Sequence, residues 1–177
     1  IREAPEGFSV AGPVGEYIRI AKRASTLIVD VSVTTPKPGQ VLIVPLLNEG
    51  GIPGEEMLKI VETACNERSV RPLTDQVLVK APDIVKFNVE VTYYINRADE
   101  AQSISIQSGV AQAVNDYVIW QKSKLGRDIN PDELISLIKK AGAKRVVIAS
   151  PNFQVIAENN IAIAENVSVK LGGLEDE

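Results

Sequence analysis

Few residues of this chain could carry out chemistry. Its 177 residues include one Cys and no His, and His is the commonest general base near neutral pH and the commonest metal ligand. Catalytic triads built on His, and zinc sites built on His or on several Cys residues, are therefore excluded. Any chemistry would have to come from carboxylates, acting directly or around a magnesium ion.

Two places in the sequence are candidates for carboxylate chemistry. Asp128, Asp132 and Glu133 lie close together, but Asp132 and Glu133 also follow Asn130 in a pattern typical of a helix start. Asp30 lies within an apolar run, where it alternates with valines. A residue at that position of a strand is expected to face solvent or an interface. We therefore predict no catalytic residue at either place.

Two further motifs have structural interpretations. The segment 50–54 (GGIPG) precedes a predicted helix, as a phosphate-binding loop does. It lacks the Lys-Ser or Lys-Thr of such loops, and Pro53 removes one N–H group that a phosphate would need. We interpret the segment as a turn and a helix cap. Cys65 lies in the apolar stripe of the same helix, which predicts a core position rather than a nucleophile.

Aromatic side chains can stack on bases, but the charge pattern argues against nucleic acid. The net charge is −4, and the closest clusters of Lys and Arg are only pairs. A duplex-binding protein normally carries a basic stripe. Tyr93, Tyr94, Tyr117 and Trp120 are therefore expected in the core or at a protein interface. No cofactor and no metal are predicted.

The first half of the sequence predicts alternating helices and strands. A hairpin is indicated at 26–47, where two β-rich runs flank Pro38-Gly39, residues typical of a tight turn. Pro45, late in the second run, predicts an edge or a bulge. The other elements predicted in this half are helices at 13–25 and 55–68 and a short strand at 75–82.

The second half contains the clearest patterns. Residues 85–95 alternate apolar and polar side chains, which predicts a strand with one face on a core. Asn130-Pro131 predicts the start of a helix that ends at Gly142. Residues 152–166 match no regular pattern. The other predicted elements are a helix at 103–124, a strand at 144–149 and a strand region at 161–171.

This order of elements predicts an α+β fold of two small subdomains, α-β-β-α-β and then β-α-α-β-β, with helices packed on mixed or antiparallel sheets. The expected N-terminal subdomain is 1–82 and the expected C-terminal subdomain is 83–172. The end of the chain from Gly172 to Glu177 is Gly-rich and then acidic, and its acidic tail, 173–177, is predicted to be disordered. No apolar run approaches the roughly 18 residues that a membrane helix needs.

A series of short segments runs along the chain in a characteristic order. They are residues 4–17 (APEGFSVAGPVGEY), 29–33 (VDVSV), 38–41 (PGQV), 72–82 (PLTDQVLVKAP), 125–134 (LGRDINPDEL) and 142–146 (GAKRV). In order and spacing the chain from residue 4 to residue 172 resembles the baseplate J-like proteins. These are structural proteins of contractile-tailed bacteriophages and related prophage tails.

The resemblance implies a part in the baseplate wedge, which links the tail tube hub to the periphery, and it carries over no catalytic residue. It implies that the partners are other baseplate and tail proteins, with self-association in the assembled baseplate. The expected location is the virion tail, after assembly in the bacterial cytoplasm. The resemblance also implies that an N-terminal portion is missing here, in agreement with the Ile start. We expect no enzyme activity, no nucleic acid partner and no membrane partner.

Two other classes of function stay open from the sequence. A small-molecule-binding or regulatory α+β module would show a pocket with convergent polar groups. A carboxylate or magnesium hydrolase would require Asp30, Asp75 and Asp128 to converge in the fold. A polar pocket would support the first alternative, and a cluster of the three acids would support the second. An assembly protein requires neither.

Overall fold

The computed structural model of the chain describes residues 11–66 and 76–176. Its elements follow the order α-β-β-α-β and then β-α-α-β-β, so the predicted α+β class is confirmed. The chain divides into an N-terminal unit, Ile1–Pro82, and a C-terminal unit, Asp83–Glu177. Across the described residues, no helix combines the length and the apolar character needed to span a bilayer.

The N-terminal unit packs two helices against a three-stranded sheet. Neighbouring strands β1 and β2 are antiparallel, whereas β2 and β3 are parallel, so the sheet is mixed. A parallel pair needs a crossover connection, and the second helix supplies it. Asp75 and the predicted end of that helix at 67–68 lie outside the described residues. The elements are α1 (Ala11–Ala24), β1 (Ile28–Thr34), β2 (Gln40–Leu47), α2 (Glu55–Cys65) and β3 (Gln76–Val79).

The predicted turn joins β1 to β2. The N–H of Gln40 donates to the carbonyl oxygen of Lys37 at 3.0 Å, and Gly39 has a φ of 77°. Pro38 fixes φ at the first central position, and Gly39 adopts the left-handed backbone of the second. This combination is a type II turn, which explains why this Pro-Gly pair ends the first strand and starts the next.

Pro45 lies in the central strand of the sheet, but at a point where that strand has one neighbour. β3 pairs only with Gln40–Ile43, whereas Pro45 is opposite Val31 of β1. Beyond Ile43, no described residue of β3 requires a backbone donor from β2. The N–H that proline lacks is therefore not needed on that side. The edge predicted at Pro45 is local, since β2 as a whole is central.

The C-terminal unit packs two helices against one face of a second three-stranded sheet. The strands are ordered β5-β4-β6, with β5 antiparallel and β6 parallel to the central β4. A short 3-10 turn connects the first strand to the first helix. The elements are β4 (Asp83–Asn96), α3 (Ser103–Gln121), α4 (Pro131–Lys140), β5 (Arg145–Ser150) and β6 (Asn160–Glu175).

The core of this unit lies between β4 and the helices. The period-two pattern predicted one buried face of β4, and this is confirmed for Phe87, Val89, Val91, Tyr93 and Ile95. Apolar residues at helical spacing complete the core from the other side. They are Ile106, Val110, Ala113, Val114 and Tyr117 of α3 with Leu134 and Ile138 of α4.

α4 begins at Pro131, as predicted, and ends at Lys140, two residues before the predicted Gly142. The side-chain oxygen of Asn130 accepts from the N–H of Asp132 at 3.0 Å, and Pro131 is the first helical residue. Both features satisfy or remove donors that a helix start leaves unpaired. At the other end the N–H of Gly142 donates to the carbonyl oxygen of Lys139 at 3.1 Å.

The end of the chain differs from the prediction. The sequence predicts a disordered tail from residue 173, whereas β6 continues to Glu175 alongside the end of β4. Arg145 forms an ion pair with Glu175, and Arg97 Nε lies 2.7 Å from Asp176 Oδ1. Exposed ion pairs contribute little stability. Pairing with β4 is therefore the main reason why this acidic segment is ordered.

Candidate functional site

The clustered acidic residues of the C-terminal unit lie at a loop contact and in the first turn of α4. Asp128 Oδ1 accepts from the N–H of Ile156 at 2.8 Å, and the N–H of Asp132 is held by the Asn130 cap. Glu133 lies in the first turn of α4, where the helix dipole favours a carboxylate. Within 11–66 and 76–176, no three His, Cys, Asp or Glu side chains are grouped to hold a metal ion.

Asp30 is not placed in a carboxylate cluster. It lies half-buried in β1 opposite Leu46, next to a register shift that follows Ile28. It belongs to the N-terminal unit and Asp128 to the C-terminal unit, whereas Asp75 lies outside the described residues. The described geometry therefore gives no support to a hydrolase built on these three acids.

The glycine-rich segment 50–54 forms a turn and a helix cap. A 3-10 turn spans Asn48–Gly50, and Gly54 is the N-cap residue of α2. The N–H of Leu58 donates to the carbonyl oxygen of Gly54 at 3.0 Å, so the first helical turn is closed by the backbone itself. Pro53 is buried. The segment therefore turns the chain and leads it into α2.

Cys65 lies at the end of α2 in the core of the N-terminal unit. Its side chain is fully buried together with Val61 of the same helix. Burial raises the pKa of the Cys65 thiol to about 11. Thiolate is the nucleophilic form of cysteine, and very little of it is present at neutral pH when the pKa is so high.

Two of the candidate aromatic residues are core residues. Tyr93 and Tyr117 are buried, and burial, with a smaller contribution from the charge of Glu133, raises the pKa of Tyr117 to about 12. Tyr117 Oη and Gln121 Oε1, one helical turn apart, have no hydrogen-bond partner among the described residues. Gln121 is a buried polar residue that the sequence pattern did not single out.

The other two aromatic residues each carry an arginine on one face. Arg127 Cζ lies 4.2 Å from the ring centroid of Trp120, and Arg145 Cζ lies 3.8 Å from that of Tyr94. Arg127 also donates to the carbonyl oxygen of Trp120. A guanidinium in this position occupies the ring face on which a base would stack. These rings thus contribute to packing within the unit.

Two of the depressions on the described surface are open to solvent. An apolar groove of about 470 Å³ lies along α2 and the end of α1. A depression of about 500 Å³ lies at the end of β4 and contains the Arg97–Asp176 ion pair, whose charged groups are turned towards each other. Neither has the enclosed set of convergent polar groups expected of a metabolite site. The residues along the groove are Ala24, Glu56, Lys59, Ile60, Thr63 and Ala64.

The 151–159 loop, which connects β5 to β6, is anchored although its sequence matches no regular pattern. Ile129 and Gln154 exchange two backbone hydrogen bonds, at 2.9 and 3.1 Å. The hydrogen bond from Ile156 to Asp128 lies two residues further on, and the Ile156 side chain is buried in the core. These contacts fix the backbone in the middle of the loop, from which its exposed side chains project.

Two large apolar side chains of this loop face solvent. Phe153 is 59% exposed and Val155 is 71% exposed. Residues two apart in an extended segment project to the same side. Large apolar side chains carried on an anchored backbone suit contact with another protein, because little backbone entropy is lost on binding. The 151–159 loop is therefore the candidate functional site, a surface for protein contact.

Replacing Asp128 by Ala is expected to loosen this loop. The amide of Ile156 would lose its acceptor, and a partly buried donor without a partner costs about 1–3 kcal/mol. Asp128→Asn keeps a side-chain oxygen and should cost less than half as much. Urea unfolding followed by the fluorescence of Trp120 measures both changes. Equal losses in the two variants would contradict an anchoring role for the Asp128 oxygen.

Comparison with known proteins matches the two units to domains of one family. The baseplate J-like central domain matches residues 9–81, and the baseplate J-like protein C-terminal domain matches residues 87–170. Baseplate protein J of Escherichia phage P2 is 32% identical over 163 residues, which are 92% of this chain and 53% of that protein. This chain thus spans about half the length of that curated relative.

A solved structure has a related fold at much lower sequence identity. It is a chain in the cryo-EM structure of the anti-feeding prophage baseplate, 6-fold symmetrised, with a TM-score of 0.54 and 10% identity. The match covers 84% of this chain and 36% of that chain, and at this identity it concerns the fold alone. From the two domain matches and the P2 relative, the chain belongs to the baseplate J-like family.

Proposed function

We propose that the chain is a structural part of a phage-like contractile-tail baseplate, in the wedge, and that it acts by protein assembly rather than by catalysis. Membership of the baseplate J-like family is the observation that carries this proposal. The partners proposed are other baseplate and tail proteins and further copies of this chain. Nucleic acid and membrane are not among them. The proposed location is the virion tail, reached after assembly in the bacterial cytoplasm.

The geometry of the candidate residues supports an assembly role. Asp128 holds a loop, Cys65 lies in a core, and Trp120 is covered on one face by an arginine. These three candidate residues therefore have anchoring or packing tasks. By contrast, the exposed apolar side chains of the 151–159 loop have no such task within the unit, and they suit contact with a neighbour.

We also propose that the two units are separate domains, 1–82 and 83–172, joined in the chain near residues 81–84. The family matches support this proposal because one ends at residue 81 and the other starts at residue 87. Each unit also has a hydrophobic core of its own, which is what independent folding requires. The last residues of β6 extend the second domain beyond 172.

Localisation within isolated tails tests the proposed function. An epitope-tagged copy of the complete gene, expressed with the tail genes of its own genome, should place label at the baseplate end of purified tails in electron micrographs. Deleting the gene should give tails without a complete baseplate, and the tagged copy should restore them. Tails that assemble normally without the protein, or that carry the label elsewhere, would overturn the proposal.

A further inference from the structure

One backbone edge of the 151–159 loop is unpaired. The N–H and the carbonyl group of Gln154 point to Ile129, and the N–H of Ile156 points the same way, to Asp128. Backbone groups alternate in direction along an extended segment, so those of Phe153 and Val155 point to the opposite side. In the described part of the chain, neither residue makes a backbone hydrogen bond.

We propose that this edge pairs with the same edge of a second copy of the chain, antiparallel, about a two-fold axis at Gln154. In an antiparallel pair of strands, every second pair of directly opposite residues exchanges both of its backbone hydrogen bonds. With Gln154 opposite the Gln154 of the other copy, Phe153 of each copy lies opposite Val155 of the other. The backbone N–H and carbonyl groups of Phe153 and Val155, which the loop leaves unpaired, then form the hydrogen bonds between the two copies.

The side chains make this contact self-complementary. Phe153 and Val155 project to one side, so the pairing brings two aromatic and two β-branched side chains together. Such cross-strand pairs are among the favourable ones in antiparallel sheets. Residues 151–157 contain no charged side chain, and two copies can therefore approach without like-charge repulsion. A second copy, turned by the two-fold axis, supplies every complementary group, whereas another protein would need to match them independently.

The inference rests on the proposed self-association and assigns a surface to it. The contact is small compared with the roughly 800 Å² per partner of a standard stable interface. We therefore expect weak pairing of free chains. Within an assembly the copies are held close together, and the higher effective concentration strengthens such a contact without any new interaction.

Cysteine cross-linking tests the register. Gln154 of each copy forms a non-hydrogen-bonded pair, with Cα atoms roughly 4.5 Å apart, within the range that a disulfide spans. Gln154→Cys should therefore form disulfide-linked dimers at least about tenfold faster than Ile104→Cys. Ile104 is 81% exposed and lies at the start of α3, and Cys65 is buried in both variants. Non-reducing gels give the rates, and equal rates would overturn the proposal.

Two double variants test the cross-strand pairs. Phe153→Lys with Val155→Glu places opposite charges across each pair and should still dimerise. Phe153→Lys with Val155→Lys places like charges there and should be monomeric at every concentration. Sedimentation velocity of the full chain, up to about millimolar concentration, compares them with the unmodified protein. A monomeric unmodified chain, or the same behaviour in both double variants, would overturn the pairing.

The two proposals fail in different ways. If the tagged protein is found at the baseplate but free chains do not pair through Gln154, the pairing is refuted and the proposed function stands. If chains pair as expected but the protein is absent from baseplates, the pairing stands and the proposed function is refuted.

Discussion

Replacing Ile138 by Ala should destabilise the C-terminal unit by about 2–5 kcal/mol. Ile138 is fully buried on α4, within the core formed with β4 and α3. Truncation loses the transfer free energy of the removed carbons and leaves a cavity that packed neighbours fill only in part. Urea unfolding, followed by the fluorescence of Trp120, measures the change. The expected loss is a large fraction of the roughly 5–15 kcal/mol that stabilises a typical domain.

The same substitution at Ile104 provides the control. Ile104 is 81% exposed at the start of α3, so Ile104→Ala removes little buried surface. We expect its free energy of unfolding to stay within about 0.5 kcal/mol of the unmodified protein. A comparable loss at both positions would mean that α4 does not contribute the core contacts described for Ile138.

The regular parts of the fold were predictable because their signals are local. The alternation along 85–95 needs only neighbouring residues, and it marked the buried face of β4. The start of α4 is similarly determined by Asn130 and Pro131, whose effects act within one helical turn. Strand direction is different, since the sequence left mixed and antiparallel sheets open. β2 and β3 are parallel because α2 lies between them in the chain.

β6 shows why the C-terminal strand was predicted too short. Its pairing with β4 shifts register after Ala164 and again after Leu171. Each shift changes which side chains face the core, so no single alternation runs through the strand. The second shift coincides with Gly172, where a Cβ atom would lie 2.4 Å from the ring of Tyr94. Gly172, which made the end of the chain look Gly-rich, instead lets an aromatic ring lie close to the strand.

The candidate site depends on contacts between residues far apart in sequence. The Asp128 anchor and its partner Ile156 are 28 residues apart, so the sequence suggested a carboxylate cluster instead. Local reasoning did place Cys65 in an apolar helix stripe, and its burial agrees. The absence of a catalytic residue stays a prediction, although the described candidates have structural tasks. The exposed edge at Phe153 and Val155 follows from the fold and not from a motif.

Replacing Cys65 by Asp should unfold the N-terminal unit and leave the C-terminal unit folded. Cys65 is fully buried beside Val61, and an unpaired carboxylate in an apolar core costs several kcal/mol. If the units are separate domains, this loss stays within the first one. Hydrogen exchange of amides in α1 and α2 should become fast. The urea transition reported by Trp120, the single Trp of the chain, should keep its midpoint.

Cys65→Ala separates the effect of charge from that of volume. It removes only the sulfur atom, and we expect a loss of about 1 kcal/mol, with slow exchange retained in α1 and α2. In Cys65→Asp, the urea midpoint reported by Trp120 could fall together with the hydrogen-exchange protection of the α2 amides. Such a joint loss would show that the chain unfolds as one unit. That result would refute the proposed domain boundary at residue 82, because a local defect would then be shared by both cores.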